Sequence, residues 1–474
     1  MPESRIVIAG GGFGGLYAAL ELEKILRRKS DIAVTLLNKE NFFLFTPMLA
    51  ETAASSIGTR HIVSPLRKLL HRCHFAEVTI DNVDPVSRVV SARHSLTGAP
   101  REFVYDRLLI ALGGVINYFN IPGAADHSIA FKTLGDAIYV RNHVIDKLEE
   151  AAVEPEIASQ LLTFAVVGGG LTGLEVAGAL NDFVLDALKF YPEIKKEQVR
   201  VLLIEAGPRL IPEMTKQLAV FSERVLKERG VEVRTNTAVT RVSANAFELS
   251  TGERIESGTI IWSAGVSPNP LLDKLAIPKV RGRAKVNEYL EVEGFEGLWA
   301  IGDSAYILDP ETGKPFPATA QHAIREGQCA GRNIAASLGI ATRRSFRYRT
   351  MGQLALVGER TGVADVMGHQ FSGFIAWFLW RSYYLMRVPL FEKRLRVMLD
   401  WTLDLFFKRD IVQLAVSRER KLMAGRMTDL RKQVPKILRV GNSMKRIRRF
   451  LQNGGRVAYA SEASGREEVY VRRL

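Results

Sequence analysis

Glycine spacing is the first chemistry visible in this chain. Gly10, Gly12 and Gly15 fall on a G-x-G-x-x-G pattern in RIVIAGGGFGG (residues 5–15), with Gly14 inside it. Gly168, Gly170 and Gly173 repeat the pattern in FAVVGGGLTG (residues 164–173). Each time a short apolar run comes before the glycines and helical periodicity after them. In such a strand–turn–helix the first glycine makes the tight turn. The second lets backbone approach a pyrophosphate, and the third lets helix pack on strand. The helix N-terminus then offers free N–H groups and a positive dipole end to the phosphates. One match is weak, because glycine turns between strand and helix are common; two imply two dinucleotide sites.

The residues after each second strand separate the two sites. In the second unit the strand at 199–204 ends at Glu205. A carboxylate there accepts from both ribose hydroxyls and repels a 2′-phosphate, so NADH is expected over NADPH. Arg209 nearby is either a counter-signal or a solvent-facing charge. In the first unit, residues 31–37 (DIAVTLL) lead into Asn38, Lys39 and Glu40. Asn38 stands where an acidic residue is usual, and whether Asn38 or Glu40 meets a ribose stays open. Its place at the chain start suits FAD. Buried strands also run into small residues at Ala111, at Ala264-Gly265 and at Gly302-Asp303. Ligands of doubly wound sheets rest on such strand ends. Asp303 is placed to hold a ribityl or phosphate-linked hydroxyl, although Gly-Asp is also an ordinary turn.

The elements that must position these residues follow from periodicity. The expected fold is α/β, with two Rossmann-like dinucleotide-binding domains, for FAD and NADH, and a C-terminal amphipathic helical membrane-anchoring region. Residues 1–120 with 283–340 are assigned to the FAD domain and 121–282 to the NADH domain. Residues 341–412 carry strands and amphipathic helices, and 413–474 form a basic tail. A helix is expected over 174–190, which puts Glu175 in its first turn. There it is either a carboxylate favoured by the helix dipole or a group beside nicotinamide and flavin that moves protons. The apolar run at 42–49 (FFLFTPML) reads equally as core or as a loop beside a flavin. A meander is expected over 231–250, turning near Ala244-Asn245, and two strands over 343–369.

Composition narrows the function. The 474 residues carry a net charge of +14, and residues 370–474 alone hold 23 Lys/Arg against 9 Asp/Glu. The rest of the chain is balanced, which argues against a nucleic-acid groove in the catalytic body. The two cysteines, Cys73 and Cys329, are too few for a disulfide scaffold and form no C-x-x-C pair. No Cys/His grouping has metal-ligand spacing. The first strand begins by about Arg5, so neither a signal peptide nor a transit sequence is expected.

Taken together the motifs resemble the type II NADH:quinone oxidoreductases, membrane-surface flavoproteins with two dinucleotide-binding domains. The likeness rests on IVIAGGGFGG, FFLFTPMLAE (42–51), VVGGGLTGLEVAGAL (166–180) and LIEAGPRLIP (203–212). It continues through IWSAGVSPNP (261–270), WAIGDSA (299–305), ATAQHAIREG (318–327) and the aromatic stretch from Gly373 to about Phe407. The resemblance implies FAD on Gly10, Gly12, Gly15 and Asp303, and NADH on Gly168, Gly170, Gly173 and Glu205. It implies a membrane quinone at Ala320, Gln321 and Ile324, with Glu175 and Gln321 in catalysis. Where the family commonly has a second glutamine, this chain has Arg325. Gln321 has a structural reading too, as an early helix residue bonding its own backbone. The implied reaction is non-proton-pumping: hydride from NADH to FAD, then two electrons to the quinone, which takes up two protons. Rival readings are a soluble reductase of a ferredoxin-like protein and sulfide:quinone chemistry, which needs paired reactive cysteines.

A lipid-tailed quinone requires contact with the bilayer. Residues 374–386 (FIAWFLWRSYYLM) are densely aromatic but interrupted by Arg381, with Arg387 next to them. A spanning helix needs ~20 apolar residues, and a central arginine costs about 2.5–3.5 kcal/mol. A helix lying at the interface is therefore expected. A second, over 395–407, carries Leu395, Met398, Leu399, Thr402 and Phe406 at helical spacing. Lys393, Arg394, Arg396, Lys408 and Arg409 are positioned to meet anionic headgroups. The alternatives are a buried helical hairpin or a dimer contact; whether the chain forms a homodimer is left open. Residues 371–410 are expected on the cytoplasmic face of the cell membrane. The cluster Lys445, Arg446, Arg448 and Arg449 reads equally as membrane attachment or a solvated helix face.

Overall fold

Strand β1 (Ser4–Ala9) is apolar without alternation from Ile6 onward, and Ile6, Val7, Ile8 and Ala9 are buried. That is the pattern of a central parallel strand covered on both faces. Helix α1 (Phe13–Ile25) follows, and β2 (Ile32–Asn38) pairs parallel with β1 from Ser4↔Ile32 to Ala9↔Leu37. They belong to a seven-stranded sheet ordered Leu298–Ala300, Arg107–Ile110, β1, β2, His74–Asp84, Val89–His94, Pro100–Val104. The last two strands extend it antiparallel. The computed structural model describes residues 4–407 and 409–413, and the backbone of 456–461 and 468–473.

The second unit repeats the first. Strand β3 (Thr163–Val167) leads into α2 (Leu171–Ala187), and β4 (Arg200–Ile204) pairs parallel with β3. Their five-stranded sheet runs Ile129–Ala130, Thr259–Trp262, β3, β4, Val231–Arg234. Val231–Arg234 is thus a parallel edge strand, not part of the expected meander. The meander is Val239–Ser243, Ala246–Leu249 and Arg254–Glu256, with the turn at Ala244-Asn245 as expected. The fold is α/β with two dinucleotide-binding units.

The glycines do what their spacing predicts. Gly10 has φ +116°, and a β-carbon there would lie 2.1 Å from the Ala111 carbonyl oxygen. A β-carbon on Gly15 would lie 1.8 Å from the Gly10 oxygen, whereas one on Gly12 would meet nothing within 4 Å. In the second unit Gly168 has φ +107°, Gly173 would meet the Gly168 oxygen at 1.7 Å, and Gly170 stays open to 3.9 Å. Helix α3 (Ala320–Ser337) lies against α1 with equal closeness: a β-carbon on Gly327 would stand 2.2 Å from the Gly14 oxygen.

Helix α2 begins at Leu171 with Gly170 as N-cap, because the turn glycines already release N–H groups there. Glu175 therefore falls in the second turn, not the first as expected, and its dipole reading lapses. Residues 343–369 were expected to give two strands. Strands Gly352–Gly358 and Thr361–Val366 form, and a third, His369–Ser372, completes an antiparallel sheet. This sheet docks on α2, where a β-carbon on Gly178 would lie 2.6 Å from the Val357 oxygen.

Helix α4 (Gly373–Arg387) follows directly, and Pro389 holds Val388 extended and ends it. Helix α5 spans Phe391–Leu403, earlier than expected, so Phe406 lies beyond it. The aromatic stretch is split between two faces. Ala376, Trp377 and Trp380 are buried against the body, while Phe374, Ile375 and Phe378 are 60%, 60% and 58% exposed. On α5, Val397 and Trp401 are buried, and Leu395, Met398 and Leu399 are exposed. His61 contacts Asp400 and Lys68 pairs with Glu392 at 2.7 Å, tying α5 to the first unit. Arg409 departs from its expected place among the headgroup-facing cations. Its side chain is only 8% exposed and pairs with Asp186 and Asp404 at 3.9 and 3.8 Å. Lys408 and the cluster Lys445, Arg446, Arg448 and Arg449 lie outside the described residues. Strands Arg456–Ser461 and Glu468–Arg473 pair antiparallel in a separate unit, 414–474.

Gly15→Ala must displace backbone and is expected to cost about 1–3 kcal/mol. Thermal unfolding of the cofactor-free protein should show a lowered Tm for Gly15→Ala and an unchanged Tm for Gly12→Ala, whose methyl enters open space.

Candidate active site

A cleft of about 610 Å³ runs along the strand ends of both units. Gly10–Gly14, Asn38, Ala111, Gly302 and Asp303 line it from the first unit, and Leu171, Thr172, Glu175 and Ser263 from the second. Its size falls in the range of about 300–1,000 Å³ usual for cofactor sites. Asn38 and Glu205 occupy equivalent places. Asn38 Oδ1 accepts from Gly11 N at 2.9 Å, and Glu205 accepts from Gly169 N and Gly207 N, both at 2.6 Å. Each side chain thus braces its own glycine turn. Arg209 donates to the carbonyls of Met214 and Pro212, so its charge is engaged locally.

The other sequence-derived residues divide. Gly302 has φ +63° and donates to Glu326 Oε2 at 2.7 Å; Asp303 faces Lys132 at 3.7 Å. Burial, with Asp303 adding repulsion, pushes Glu326 up to about 7. Ala264 abuts Gly168, where a β-carbon would come within 2.7 Å, and Gly265 has φ +68°. Lys39 and Glu40 are exposed and off the cleft wall. The run at 42–49 serves in both of its expected ways. Phe43, Phe45 and Met48 are core, while Thr46, Pro47 and Leu49 line the cleft.

Glu175 is held at the cleft floor. Its Oε1 accepts from Leu356 N and from Trp380 Nε1, both at 3.1 Å. Burial pushes it up to about 8 against those two bonds. Glu51, which no sequence motif singled out, is buried nearby at 3.5 Å from Arg381, and burial pushes it up to about 7. Its signal was present: it is the one charged residue in the apolar and small stretch 42–56. Tyr384 was also missed as a site residue. Burial raises its phenol well above its ordinary value, with Glu175 adding to the effect.

A second cavity, of about 370 Å³ and mostly apolar walls, adjoins the cleft. Ala320, Gln321, Ile324 and Arg325 line it together. Gln321 does not bond its own backbone. It donates to Gly352 O and accepts from Tyr348 OH, both at 3.0 Å. Arg325 stands 5.8 Å over the Tyr348 ring. Phe13, Pro47, Leu171, Thr319, Ala320, Leu354 and Tyr384 line both cavities, so one thin wall separates them.

Comparison with known proteins agrees with this geometry. Residues 4–327 match the pyridine nucleotide-disulphide oxidoreductase family, and 351–410 match the NDH2 C-terminal domain. The type II NADH:quinone oxidoreductase Ndh of Mycobacterium tuberculosis is 30% identical over 90% of this chain and 93% of its own. The chain belongs to the type II NADH:quinone oxidoreductases. The demethylphylloquinone reductase NdbB of Synechocystis is 32% identical over 84% of this chain and 95% of its own. The fold matches that of NDH2 from Plasmodium falciparum in complex with NADH, at TM-score 0.79 and 22% identity, covering 86% of this chain and all of that one. The enzyme is an FAD flavoprotein that oxidises NADH and reduces a quinone.

A type II NADH:quinone oxidoreductase has no need of a dithiol, and this one offers none. Cys73 and Cys329 are both free, burial pushes them up to about 12 and 11, and neither lines the cleft.

The expectation that Glu205 meets a ribose is tested by removing its carboxylate. Glu205→Ala is expected to raise the KM for NADH roughly tenfold or more and that for NADPH less, measured by steady-state turnover. Glu51 and Glu175 bind protons more tightly folded than unfolded. Their contribution to stability is full below the ordinary value of 4.5 and declines as pH rises through about 7 and 8. Chemical unfolding from about pH 5 to 9 should show that decline, and Glu175→Gln should flatten it.

Proposed function

We propose that FAD lies in the long cleft, its pyrophosphate over Gly10, Gly12, Gly14 and Gly15, with Asn38 near a ribose. Ala111 and Gly302 then flank the chain between phosphates and ring, and Asp303 meets the ribityl hydroxyls. NADH lies over Gly168, Gly170 and Gly173 with its ribose on Glu205, and Ala264 and Gly265 form backbone beneath its path. The quinone head enters the apolar cavity at Ala320, Gln321 and Ile324. The fit of a dinucleotide rests on the open space above Gly12 and Gly170, where a β-carbon would intrude, while Gly10, Gly15, Gly168 and Gly173 are closed. On this reading residues 1–120 with 283–340 form the FAD domain and 121–282 the NADH domain.

The observation that carries the reading is the shared wall between the polar cleft and the apolar cavity. FAD, when bound, supplies two-electron exchange between a nicotinamide and a quinone. The chain orients both partners and excludes water between them. Gln321, fixed at both ends of its amide, keeps the cavity wall rigid. Tyr384 faces both cavities and keeps its proton. Glu175 holds a proton at the cleft floor near neutral pH.

The apolar cavity also reaches Met386 and Arg387 at the end of α4. On our reading the exposed apolar residues of α4 and α5 lie in the interface of a bilayer, on its cytoplasmic side, and the quinone enters from the lipid. No helix among the described residues is long and apolar enough to cross a membrane. An apolar helical face with arginines and lysines at its rim suits interfacial binding.

Purified protein should be yellow, bleach anaerobically with NADH and recover with added quinone; protein that stays colourless after incubation with FAD would overturn the placement. Replacing Phe374, Ile375 and Phe378 with serine should abolish co-sedimentation with anionic vesicles and spare turnover with a short-chain soluble quinone. Wild-type protein that fails to sediment with vesicles and runs as a dimer would assign that face to a second copy instead.

A further inference from the structure

The polar groups around the apolar cavity are not equally engaged. Gln321 has a partner at each end of its amide, Gly352 O and Tyr348 OH, both at 3.0 Å. The second of these is itself braced. The Tyr348 ring meets His322 edge-on at 5.2 Å, and His322 Nδ1 lies 2.7 Å from Thr319 Oγ1. Gln353, next to Gly352 on the same strand, differs. It lines the cavity, and its Oε1 is buried without a partner. Among the described residues it is the only buried side-chain polar atom of this wall in that state. The two cations of the wall leave it open: Arg325 donates to Gln328 Oε1 at 3.2 Å, and Arg387 stands over the Tyr383 ring at 5.1 Å. An amide oxygen buried unbonded is destabilising, and a donor on a ligand relieves it. The position suits a ligand, since Leu354, the next residue, belongs to the wall shared with the dinucleotide cleft.

We propose that Gln353 is the residue that hydrogen-bonds the head of the acceptor, while Gln321 sets the wall behind it. The inference rests on the placement of the quinone in this cavity proposed above. An amide carries a donor end and an acceptor end. The oxidised head presents carbonyl oxygens, which only accept, and Gln353 meets one with its NH₂ group. The reduced head presents hydroxyls, and Gln353 meets one with Oε1. A half-turn about the last side-chain bond exchanges the two ends. The partners at both ends of Gln321 forbid that turn, whereas no protein donor holds the Gln353 oxygen. One side chain thus recognises a ring carbonyl in both redox states, and it discriminates against a ring of the same size that offers neither C=O nor O–H.

Steady-state turnover of the holoenzyme with a short-chain soluble quinone tests this. Gln353→Met keeps the length of the side chain and removes both polar ends. It should raise the quinone KM roughly tenfold, with kcat and the NADH KM within about twofold of wild type. The quinol of that acceptor should inhibit the wild type about tenfold more strongly than its dimethyl ether, which has no O–H, and Gln353→Met should narrow the gap to about threefold or less. The Tm of the FAD-loaded protein without acceptor should not fall, because no protein bond is lost at Oε1. A purely structural glutamine would lower the Tm and leave the inhibitor gap intact. An unchanged quinone KM with an unchanged gap would overturn the assignment. Should Gln353→Met fail to fold, Gln353→Leu is read in the same way, and equal inhibition of the wild type by quinol and ether also overturns it. Ile324→Trp, which fills the cavity, tests the placement separately. If it raises the quinone KM and Gln353→Met does not, the glutamine assignment alone fails; if neither does, the placement of the quinone fails with it.

Discussion

Two backbone approaches, Gly15 onto the Gly10 carbonyl and Gly173 onto the Gly168 carbonyl, are too close for any β-carbon. They draw each helix start down onto its strand and aim its free N–H groups at the strand ends. The placement of the later elements depends on them. Helix α1, seated in this way, carries α3 on Gly14 and Ala18, and α3 brings Ala320 and Gln321 to the wall between cleft and apolar cavity. A side chain at either point would push the helix outward and open the cleft that the strands converge on.

The second unit adds a cover to this frame. The antiparallel sheet at 352–372 docks on α2 through Gly178, and its Leu356 N–H and the Trp380 indole converge on Glu175. The carboxylate at the cleft floor is therefore fixed by elements far away in sequence. The same sheet presents Gly352 O to Gln321. One short sheet thus sets the floor of the polar cleft and a wall of the apolar one.

Local signals were legible where chemistry and backbone geometry coincide. The glycine spacing, the buried strands and the carboxylate Glu205 each follow from neighbouring residues, and the turn at Ala244-Asn245 needed no tertiary knowledge. Harder were features decided by distant partners. Glu175 looked like a helix-start carboxylate because the glycine turn hid the true beginning of α2 at Leu171. Arg409 looked like a headgroup cation, yet Asp186 and Asp404 claim it. The aromatic stretch gave its character but not its orientation, since Trp377 and Trp380 turn inward only because the 352–372 sheet and α2 stand there. Glu51 was visible as a lone acid among apolar neighbours, but its partner Arg381 lies 330 positions away.

The tight seat of α3 on α1, where Gly327 meets the Gly14 carbonyl, joins the glycine turn of the polar cleft to the helix that walls the apolar cavity. On our proposed placement, a phosphate-bearing ligand that stiffens the turn at Gly10–Gly14 would also stiffen the helix whose first turn lines the apolar cavity. By linkage, whatever free energy one occupant gains from that ordering, the other gains too. An acceptor should therefore bind most firmly once the redox cofactor is already seated.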